Sequence, residues 1–217
     1  MGIIAGANIN DNGLIFSLDA ANFRSYSGSG LTSFGLVGGI NATLVNGVGF
    51  TSTNGGSFFF DGTNDYIDLG SSIQNYSVFT TSFWINYIFF DAPNNSPLGD
   101  NSQEYSYHIV FSNGVFALGF SSSFSGNPFI FTNHNTININ TWYNFVVSKN
   151  SSDNVSFYQN AVLLETLYKP GATNIHKIGA GNVYDNAKIS NVSFYNRALT
   201  AKEIKQNYNA NKKRYGL

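Results

Sequence analysis

The stretch SFFFDGTNDYIDLG, residues 57–70, sets three carboxylates between two apolar runs. Successive side chains of a strand point to opposite faces, so Phe58 and Phe60 share one face and Phe59 takes the other. At least one of these faces must enter a hydrophobic core. The Gly and Asn residues between the runs are typical of tight turns. The stretch therefore predicts two strands joined at a corner. Its carboxylates, which suit catalysis, metal binding or turn chemistry, are Asp61, Asp65 and Asp68.

The composition of the 217-residue chain favours one large all-β domain, because 42% of the residues are hydrophobic and Phe and Tyr are abundant. Charged residues make up only 11%, against about 25% in a typical soluble domain. Such a surface cannot hold a phosphate backbone by counterion release, so we expect no nucleic-acid partner. It suits contact with other proteins, because few charges would lose water. The chain has no Cys, which excludes disulfides and thiolate metal sites.

Turn residues and hydrophobic periodicity divide the chain into three segments. We assign residues 1–12 to an N-terminal arm, residues 13–199 to a β-sandwich, and residues 200–217 to a C-terminal helix and tail packed on the sandwich. The helix should begin at Thr200, because Thr200 and Glu203 have the spacing of a capping box. No apolar run approaches the ~20 residues of a membrane span, so we expect none.

The central strands differ in their predicted exposure. Residues 77–90 do not alternate cleanly, which indicates that both faces of this strand are covered. Residues 142–148 alternate Trp, Asn, Val and Ser with Tyr, Phe and Val, which predicts a half-buried strand. The turn sequence Ser112-Asn113-Gly114 lies between two apolar runs and predicts a β-hairpin.

The acidic residues do not match the pattern of a glycoside hydrolase. That chemistry needs two carboxylates about 5.5 Å apart for retention or about 6.5–9.5 Å apart for inversion. Asp65 and Asp68 are three positions apart, so in one strand they would point to opposite faces. The chain has no Cys nucleophile and no Gly-x-Ser-x-Gly elbow. We therefore expect no enzymatic activity and no catalytic residues. The other groups considered are dispersed along the chain: Glu104, Glu165, Glu203, His108, His134 and His176.

Calcium is the one cofactor for which the sequence offers ligands. Hard cations take oxygen ligands from Asp, Asn, main-chain carbonyls and water. Asp61 and Asp65 lie in a turn, and Asp19 and Asn191 are candidates to complete such a site. The alternative is that Asp61 and Asp65 are turn residues, selected for hydrogen bonds to the main chain. The stretch is not an EF-hand loop, because its Gly and Glu positions do not match.

Six segments carry a family pattern when they are taken in chain order. They are GLIFSLDAANFRSYSGSG (13–30), ATLVNGVGF (42–50), GSFFFDGTNDYIDLG (56–70), SFWINY (82–87), TWYNFVVSKNSSDNVSFYQNAVL (141–163) and ISNVSFYNRALTAKEIKQNYNANKKRYGL (189–217). In this order they resemble the laminin-G-like jelly-roll domain of the concanavalin A-like lectin/glucanase superfamily. The arm and the last segment resemble the stand-alone form found among structural proteins of tailed bacteriophages.

The resemblance implies an all-β fold, an antiparallel two-sheet jelly-roll β-sandwich with a short C-terminal helix. It implies that the first and last strands pair, with Leu14 to Leu18 beside Ile189 to Phe194. Members of the family often carry calcium and bind glycans or proteins through edge loops. The chain departs from the pattern at Ser190 and Asn191, where relatives commonly have an acidic residue, and this removes a carboxylate from the expected calcium site.

The resemblance and the absence of catalytic groups lead to one preferred function. We expect a non-enzymatic bacteriophage virion protein, a capsid decoration or head or tail fibre component that displays a lectin-like sandwich on the particle. Its partners would be other virion proteins and further copies of itself. Ile3, Ile4 and Ile9 of the arm would dock it to a neighbour, by strand addition or burial. Terminal disorder is the alternative for the arm.

The second function is a carbohydrate-binding adhesion module that attaches the particle to host-cell glycans. Sugar rings stack on exposed aromatic side chains, and four aromatic residues fall in predicted loops. A bacterial or eukaryotic adhesion domain is the third alternative, and the lack of a signal-peptide pattern at the N-terminus argues against it. The loop aromatics are Tyr105, Phe124, Phe129 and Tyr184.

Overall fold

Two antiparallel sheets pack face to face in the computed structural model of the chain. The structure describes residues 8–89, 94–100, 107–112, 115–119, 129–135, 137–181 and 183–217. Each sheet has eight strands within this part of the chain, and strands are numbered along the sequence. This arrangement confirms the predicted two-sheet β-sandwich with one short C-terminal helix.

The first sheet has the order β14-β13-β12-β7-β16-β5-β4, with β1 also paired to β16. Its strands are β1 (Leu14–Asp19), β4 (Gly49–Thr51), β5 (Ser57–Asp61), β7 (Phe79–Phe89), β12 (Trp142–Lys149), β13 (Asn154–Gln159), β14 (Val162–Tyr168) and β16 (Asn186–Tyr195). The second sheet has the order β11-β10-β9-β8-β15-β6-β3-β2. Its strands are β2 (Thr32–Phe34), β3 (Asn41–Val45), β6 (Tyr66–Tyr76), β8 (Asn94–Gly99), β9 (Tyr107–Ser112), β10 (Val115–Gly119), β11 (Phe129–Asn135) and β15 (Thr173–Ile178).

The stretch from residue 57 to residue 70 carries the chain from one sheet to the other. Strand β5 belongs to the first sheet and β6 to the second, so the turn between them is a corner of the sandwich. Phe58 and Phe60 are fully buried between the sheets, whereas Phe59 is 36% exposed on the other face. The predicted corner and the predicted alternation are both confirmed.

The ends of the chain meet in the first sheet. Strand β1 pairs antiparallel with β16, which brings Leu18 opposite Val192 and Asp19 opposite Asn191. This confirms the predicted pairing of the first and last strands. The predicted hairpin is also present, because Ser112 of β9 pairs with Val115 of β10.

Aromatic rings fill the space between the sheets. Phe116 of the second sheet lies edge-on to Phe145 and Phe157 of the first, with centroids 4.9 and 5.1 Å apart. Edge-to-face pairs at these distances add to the stabilisation that comes from burying the rings. The core therefore depends on Phe residues that two-residue alternation directs inward from both sheets.

The outer face of the first sheet is also covered, which corrects one prediction. All eight residues of β12 are buried, so this strand is not half-buried as its alternation predicted. The covering elements are helix α1 (Ala201–Asn211) and the 3-10 turn Lys212–Tyr215. The ring of Trp84 stacks on Tyr215 at 4.0 Å and on Tyr208 at 5.6 Å. Segments distant in sequence thus bury the face that local periodicity assigned to solvent.

Helix α1 begins as predicted. The Thr200 side chain accepts a hydrogen bond from the Glu203 N–H, and the Glu203 carboxylate accepts one from the Thr200 N–H, which confirms the capping box. Ile204 and Tyr208 form the buried face of the helix. Within the described residues, no helix has the length and apolar character needed to cross a membrane.

Candidate functional site

A polar cleft with a volume of about 170 Å³ lies between the outer face of the first sheet and helix α1. Strands β1 and β16 supply one wall, which includes Ser17, Asn191 and Ser193. Helix α1 supplies Asn207 and Asn211 on the opposite side. Side-chain amides and hydroxyls from the sheet and from the helix thus line the same space.

Strand alternation explains why these polar groups face away from the core. Val192 and Phe194 are fully buried between the sheets, so Asn191 and Ser193 take the other face of β16. A β-bulge lies in the same wall: between Ile189 and Val192, the register of β16 against β7 shifts. Bulges are common beside functional sites because they redirect side chains.

Asn191 is the polar side chain in this wall with unused hydrogen-bonding capacity. Only 9% of the residue is exposed, and its side-chain amide makes no hydrogen bond to the described residues. An amide group has two donors on nitrogen and two acceptor lone pairs on oxygen. The amide atoms of Asn191 are not among the buried side-chain atoms that lack a partner, so they face the open space of the cleft, where water or a ligand can bond to them.

Asp19 also lines the cleft, but its carboxylate is already neutralised. Arg214 donates hydrogen bonds to both of its oxygens, at 2.9 and 3.1 Å, and also to Ser190 Oγ at 2.7 Å. The main-chain oxygen of Arg214 accepts a hydrogen bond from Asn54, which holds the tail in place. Asp19, which was predicted as a calcium ligand, is therefore paired with the Arg214 guanidinium instead.

A second network ties the N-terminal arm to the rim of the cleft. The Tyr195 hydroxyl donates to the Asn10 carbonyl and accepts from Asn207 Nδ2, while the Asn10 N–H donates to Asn207 Oδ1. Burial raises the pKa of Tyr195 to about 12, so this hydroxyl stays neutral. Ile9 lies at the cleft beside this network and is 37% exposed. Ile3 and Ile4, the other two predicted docking residues, lie outside the described residues.

The four predicted calcium ligands fall into two separate pairs. Asp19 and Asn191 face each other across β1 and β16, whereas Asp61 lies opposite Asn186, the first residue of β16. Asn191 is five positions after Asn186 in the strand, which corresponds to roughly 16 Å. The two pairs therefore cannot contact one ion. No group of three or more His, Cys, Asp or Glu side chains among the described residues is arranged to hold a metal.

Asp61 and Asp65, the pair at the corner of the sandwich, have fewer hydrogen-bond partners than Asp19. Asp65 is 3% exposed, and its Oδ1 atom has no hydrogen-bond partner in the described part of the chain. Burial, and then the neighbouring Asp61 carboxylate, raise the pKa of Asp65. The main-chain N–H of Asp61 donates to the second oxygen of Asp65 at 3.3 Å. Turn chemistry thus accounts for one of the two oxygens of Asp65.

Of the four predicted glycan-binding aromatics, Tyr184 is the one whose side chain the structure describes, and it does not line the cleft. Tyr184 is partly buried against the ring of Tyr66, with centroids 6.4 Å apart. Phe129 begins β11, but its side chain, like all of Tyr105 and Phe124, lies outside the described residues. Sequence reasoning missed the cleft because six separate segments form it. The one local signal was the alternation of polar and apolar residues in β16, which resembles that of an ordinary solvent-facing strand.

Solved structures of similar fold cover most of the chain. Trypanosoma rangeli sialidase in complex with sialic acid has a TM-score of 0.66 and 14% identity, over 93% of this chain and 33% of that one. Domain 4 of AbnA, an extracellular arabinanase from Geobacillus stearothermophilus, in complex with arabinotriose, has a TM-score of 0.66 and 13% identity, over 90% of this chain and 98% of that one. The botulinum neurotoxin type G receptor-binding domain has a TM-score of 0.60 and 16% identity, over 91% of this chain and 51% of that one.

These similarities establish the fold and nothing beyond it, because the sequence identities are only 13–16%. The chain spans about a third of the sialidase and half of the neurotoxin domain, but nearly all of the arabinanase domain. No curated protein sequence matches it. A family model matches residues 61–205, about two thirds of the chain, from the corner after β5 into helix α1. The protein therefore belongs to the concanavalin A-like lectin/glucanase superfamily.

Proposed function

We propose that this protein is a non-enzymatic carbohydrate-binding module whose cleft beneath helix α1 receives a neutral sugar residue. The observation that carries the proposal is the free amide of Asn191 in the wall of a cleft lined with Asn and Ser side chains. A sugar hydroxyl both donates and accepts hydrogen bonds, so it matches the amide and hydroxyl groups on both sides.

The size of the cleft limits the ligand to a single ring or chain end. Pockets for drug-sized ligands have volumes of about 300–1,000 Å³, which is larger than the 170 Å³ found here. A terminal monosaccharide would enter, while the remainder of a glycan would extend along the surface. The proposal therefore predicts recognition of glycan ends rather than internal segments.

The charge of the cleft favours binding over hydrolysis. Among the described residues that line it, Asp19 is the one carboxylate, and Arg214 occupies both of its oxygens. Glycoside hydrolysis needs two carboxyl groups on either side of the scissile bond. A neutral, hydrogen-bonding cleft with one neutralised carboxylate suits recognition of an uncharged sugar without its cleavage.

An exposed aromatic residue next to the cleft offers a second contact. Phe23 is 79% exposed and directly follows Asn22, which lines the cleft. Hydrogen bonds from the N–H groups of Ser25 and Tyr26 to the Asn22 carbonyl hold this turn in shape. An exposed aromatic ring on an ordered turn offers an apolar face on which a sugar ring can stack. We assign Phe23 as the platform on which the sugar ring, or its neighbour in the glycan, stacks.

A glycan array with the full chain, followed by calorimetric titration of the best neutral glycan, tests this proposal. We expect Asn191→Ala to reduce affinity at least tenfold, because it removes the free amide. Asn138→Ala is a matched control, since Asn138 is exposed in the segment that leads into β12. The proposal is wrong if no glycan binds, or if Asn191→Ala binds as tightly as the unchanged protein.

We further propose that this module is part of a bacteriophage particle, bound to other virion proteins and to copies of itself. Support comes from the arm and the final segment, which carry the resemblance to phage proteins and also contact each other. Gln206 of α1 donates to the Asn8 carbonyl, and Asn10 donates to Glu203. These two hydrogen bonds join the arm and the final segment into one structural unit.

Deletion of residues 2–7 tests the docking part of this second proposal, because it removes Ile3 and Ile4 but keeps the contacts of residues 8–12. We expect the shortened protein to fold and bind glycan as before, but to be lost from purified particles. Mass spectrometry of those particles measures its incorporation. Full incorporation of the shortened protein would show that the arm does not dock the domain.

A further inference from the structure

The outer side of helix α1, together with the turn that follows it, carries positive charge without negative charge beside it. Lys202 and Lys205 are exposed on the helix, and Lys213 is exposed on the turn, where Lys212 is partly buried. No ion pair formed by the described residues includes any of these four lysines. We propose that they form a docking surface, the lysine stripe, for an acidic segment of another protein.

The stripe concentrates charge in a chain that carries little of it elsewhere. Four of the 11 Lys and Arg residues lie in the stripe, although only 11% of all residues are charged and the net charge is -1. Glu203 is the one acidic residue among residues 200–217, and its carboxylate accepts hydrogen bonds from Arg197 and Thr200. Neighbouring side chains therefore leave the positive charge of the stripe uncancelled.

Stabilisation of the helix accounts for at most half of the stripe. Cations are favourable near the C-terminus of a helix, so Lys212 and Lys213, which follow the last turn of α1, can offset its dipole. Lys202 lies in the first turn, where a positive charge is unfavourable. Lys205 is three positions further along the same face, so the two ammonium groups repel each other. This cost to the helix favours a function in binding.

The ring of Tyr208 holds two of the ammonium groups in place. Lys205 Nζ lies 5.3 Å and Lys212 Nζ lies 5.6 Å from the centroid of this ring. The ring stacks on Trp84 at 5.6 Å, and the residue is only 8% exposed, so packing fixes its position. Cation–π attraction then orders both lysine side chains. Because the side chains are ordered in advance, an anionic partner binds at a lower cost in conformational entropy.

The chemistry of the surface favours a polypeptide partner over a membrane or a nucleic acid. Ile204 and Tyr208 form the buried face of α1, so this helix has no apolar face to insert into lipid. Single-stranded nucleic acids stack their bases on exposed aromatic rings, whereas the rings of Tyr208 and Tyr215 beside the stripe are buried. Asp and Glu carboxylates pair with lysine without either feature.

The length of the stripe sets the size of the partner segment. Lys213 is eleven positions after Lys202, which corresponds to roughly 16 Å along the helix axis. An extended peptide advances about 3.3 Å per residue, so about five residues cover this distance. The stripe therefore fits a short extended segment that contains several Asp or Glu residues.

Fluorescence anisotropy of a labelled octaglutamate peptide titrated with the full chain tests this proposal. We expect saturable binding that weakens at least tenfold as NaCl rises from about 0.05 M to about 0.5 M, because salt screens the charges. An octaglutamine peptide should not bind. The absence of octaglutamate binding would overturn the docking surface. Equal or tighter binding of a DNA oligonucleotide or of phosphatidylserine vesicles would overturn the choice of an acidic polypeptide.

A double variant and a matched control locate the binding. Lys205→Gln combined with Lys212→Gln removes both ammonium groups beside Tyr208 and should weaken octaglutamate binding at least tenfold. Gln is about as good a helix former as Lys, so Tm should stay unchanged. Lys177→Gln is the control, because Lys177 Nζ lies 4.9 Å from the ring of Tyr66 in the second sheet. Equal affinities for the control and the double variant would exclude the stripe.

The proposed sugar binding is measured separately from this docking. The cleft is lined by Asn207 and Asn211 of α1, and the four lysines do not line it. Glycan binding by the double variant should therefore equal that of the unchanged protein. Either activity can fail in these experiments while the other stands.

Discussion

The guanidinium group of Arg214 donates two hydrogen bonds to the carboxylate of Asp19, although the two residues are 195 positions apart in sequence. The two side chains are 23% and 20% exposed, so the pair is partly desolvated. A two-pronged contact of this kind is stronger and more directional than an exposed ion pair. It fixes the C-terminal tail against the end of β1 and, with it, the aromatic ring of Tyr215 against Trp84.

We predict that Arg214→Ala lowers the free energy of unfolding by about 2–3 kcal/mol, because Asp19 would lose both charged hydrogen bonds. Arg214→Lys keeps the charge but not the planar fork, so its loss should be about half as large. Urea denaturation followed by tryptophan fluorescence measures both, since Trp84 and Trp142 lie under the tail. If Arg214→Ala lowers the free energy of unfolding by less than about 0.5 kcal/mol, the prediction is wrong and the pair contributes no more than an exposed ion pair.

The Glu203 carboxylate makes the stability of the chain sensitive to acid. Hydrogen bonds from Arg197, followed by those from Thr200, lower the pKa of Glu203 from 4.5 to about 2. A lowered pKa in the folded state gives stability that is fully present above pH 4.5 and is lost as the pH falls towards 2. We therefore expect the free energy of unfolding to fall across this window.

Glu203→Gln serves as the comparison for this pH effect, because Gln also suits the N3 position of a capping box but carries no charge. Thermal denaturation of both proteins between pH 5 and pH 2 should show a smaller decline in the variant. If the two curves run parallel through this range, the Glu203 charge does not contribute to acid sensitivity.

Phe23 should matter for binding but not for folding. Because this side chain is 79% exposed, Phe23→Ala should change the unfolding free energy by less than about 0.5 kcal/mol. Loss of its stacking surface should weaken glycan binding about tenfold, which corresponds to about 1.4 kcal/mol. Phe89→Ala, at a second exposed Phe, is the control and should bind normally. Equal affinities for all three proteins would remove Phe23 from the proposed site.

The main chain at Gly179 lies so close to the buried ring of Phe60 that only glycine fits there. Its φ is +83°, and an added Cβ would lie 2.3 Å from the ring of Phe60. We expect Gly179→Ala to destabilise the fold by about 3 kcal/mol, since overpacking adds to backbone strain. Gly39 also has a positive φ, +67°, but no atom within 4 Å of an added Cβ. Gly39→Ala should therefore cost only about 1 kcal/mol, and equal melting temperatures for the two variants would refute the steric argument.

The alternation of polar and apolar residues was sufficient to predict the strands but not to predict which of their faces are exposed. The alternation of Phe58, Phe59 and Phe60 was read correctly, because Phe58 and Phe60 are fully buried while Phe59, on the other face of that strand, is 36% exposed. The same reasoning failed for β12, which is buried on both faces by the sheet opposite and by the C-terminal segment. A two-residue period shows only that two faces differ in polarity, and it cannot show what lies over each face.

The sequence by itself determined the sandwich, the corner after β5, the pairing of the chain ends through family resemblance, and the start of helix α1 at Thr200. These follow from strand alternation, turn residues and capping chemistry, which act over a few residues. Only the tertiary structure decided the cleft beneath the helix, the partner of Asp19 and the separation of the four predicted calcium ligands. Those depend on which distant segments meet, because β16 places Asn186 at its start and Asn191 near its middle, and the tail returns Arg214 to β1.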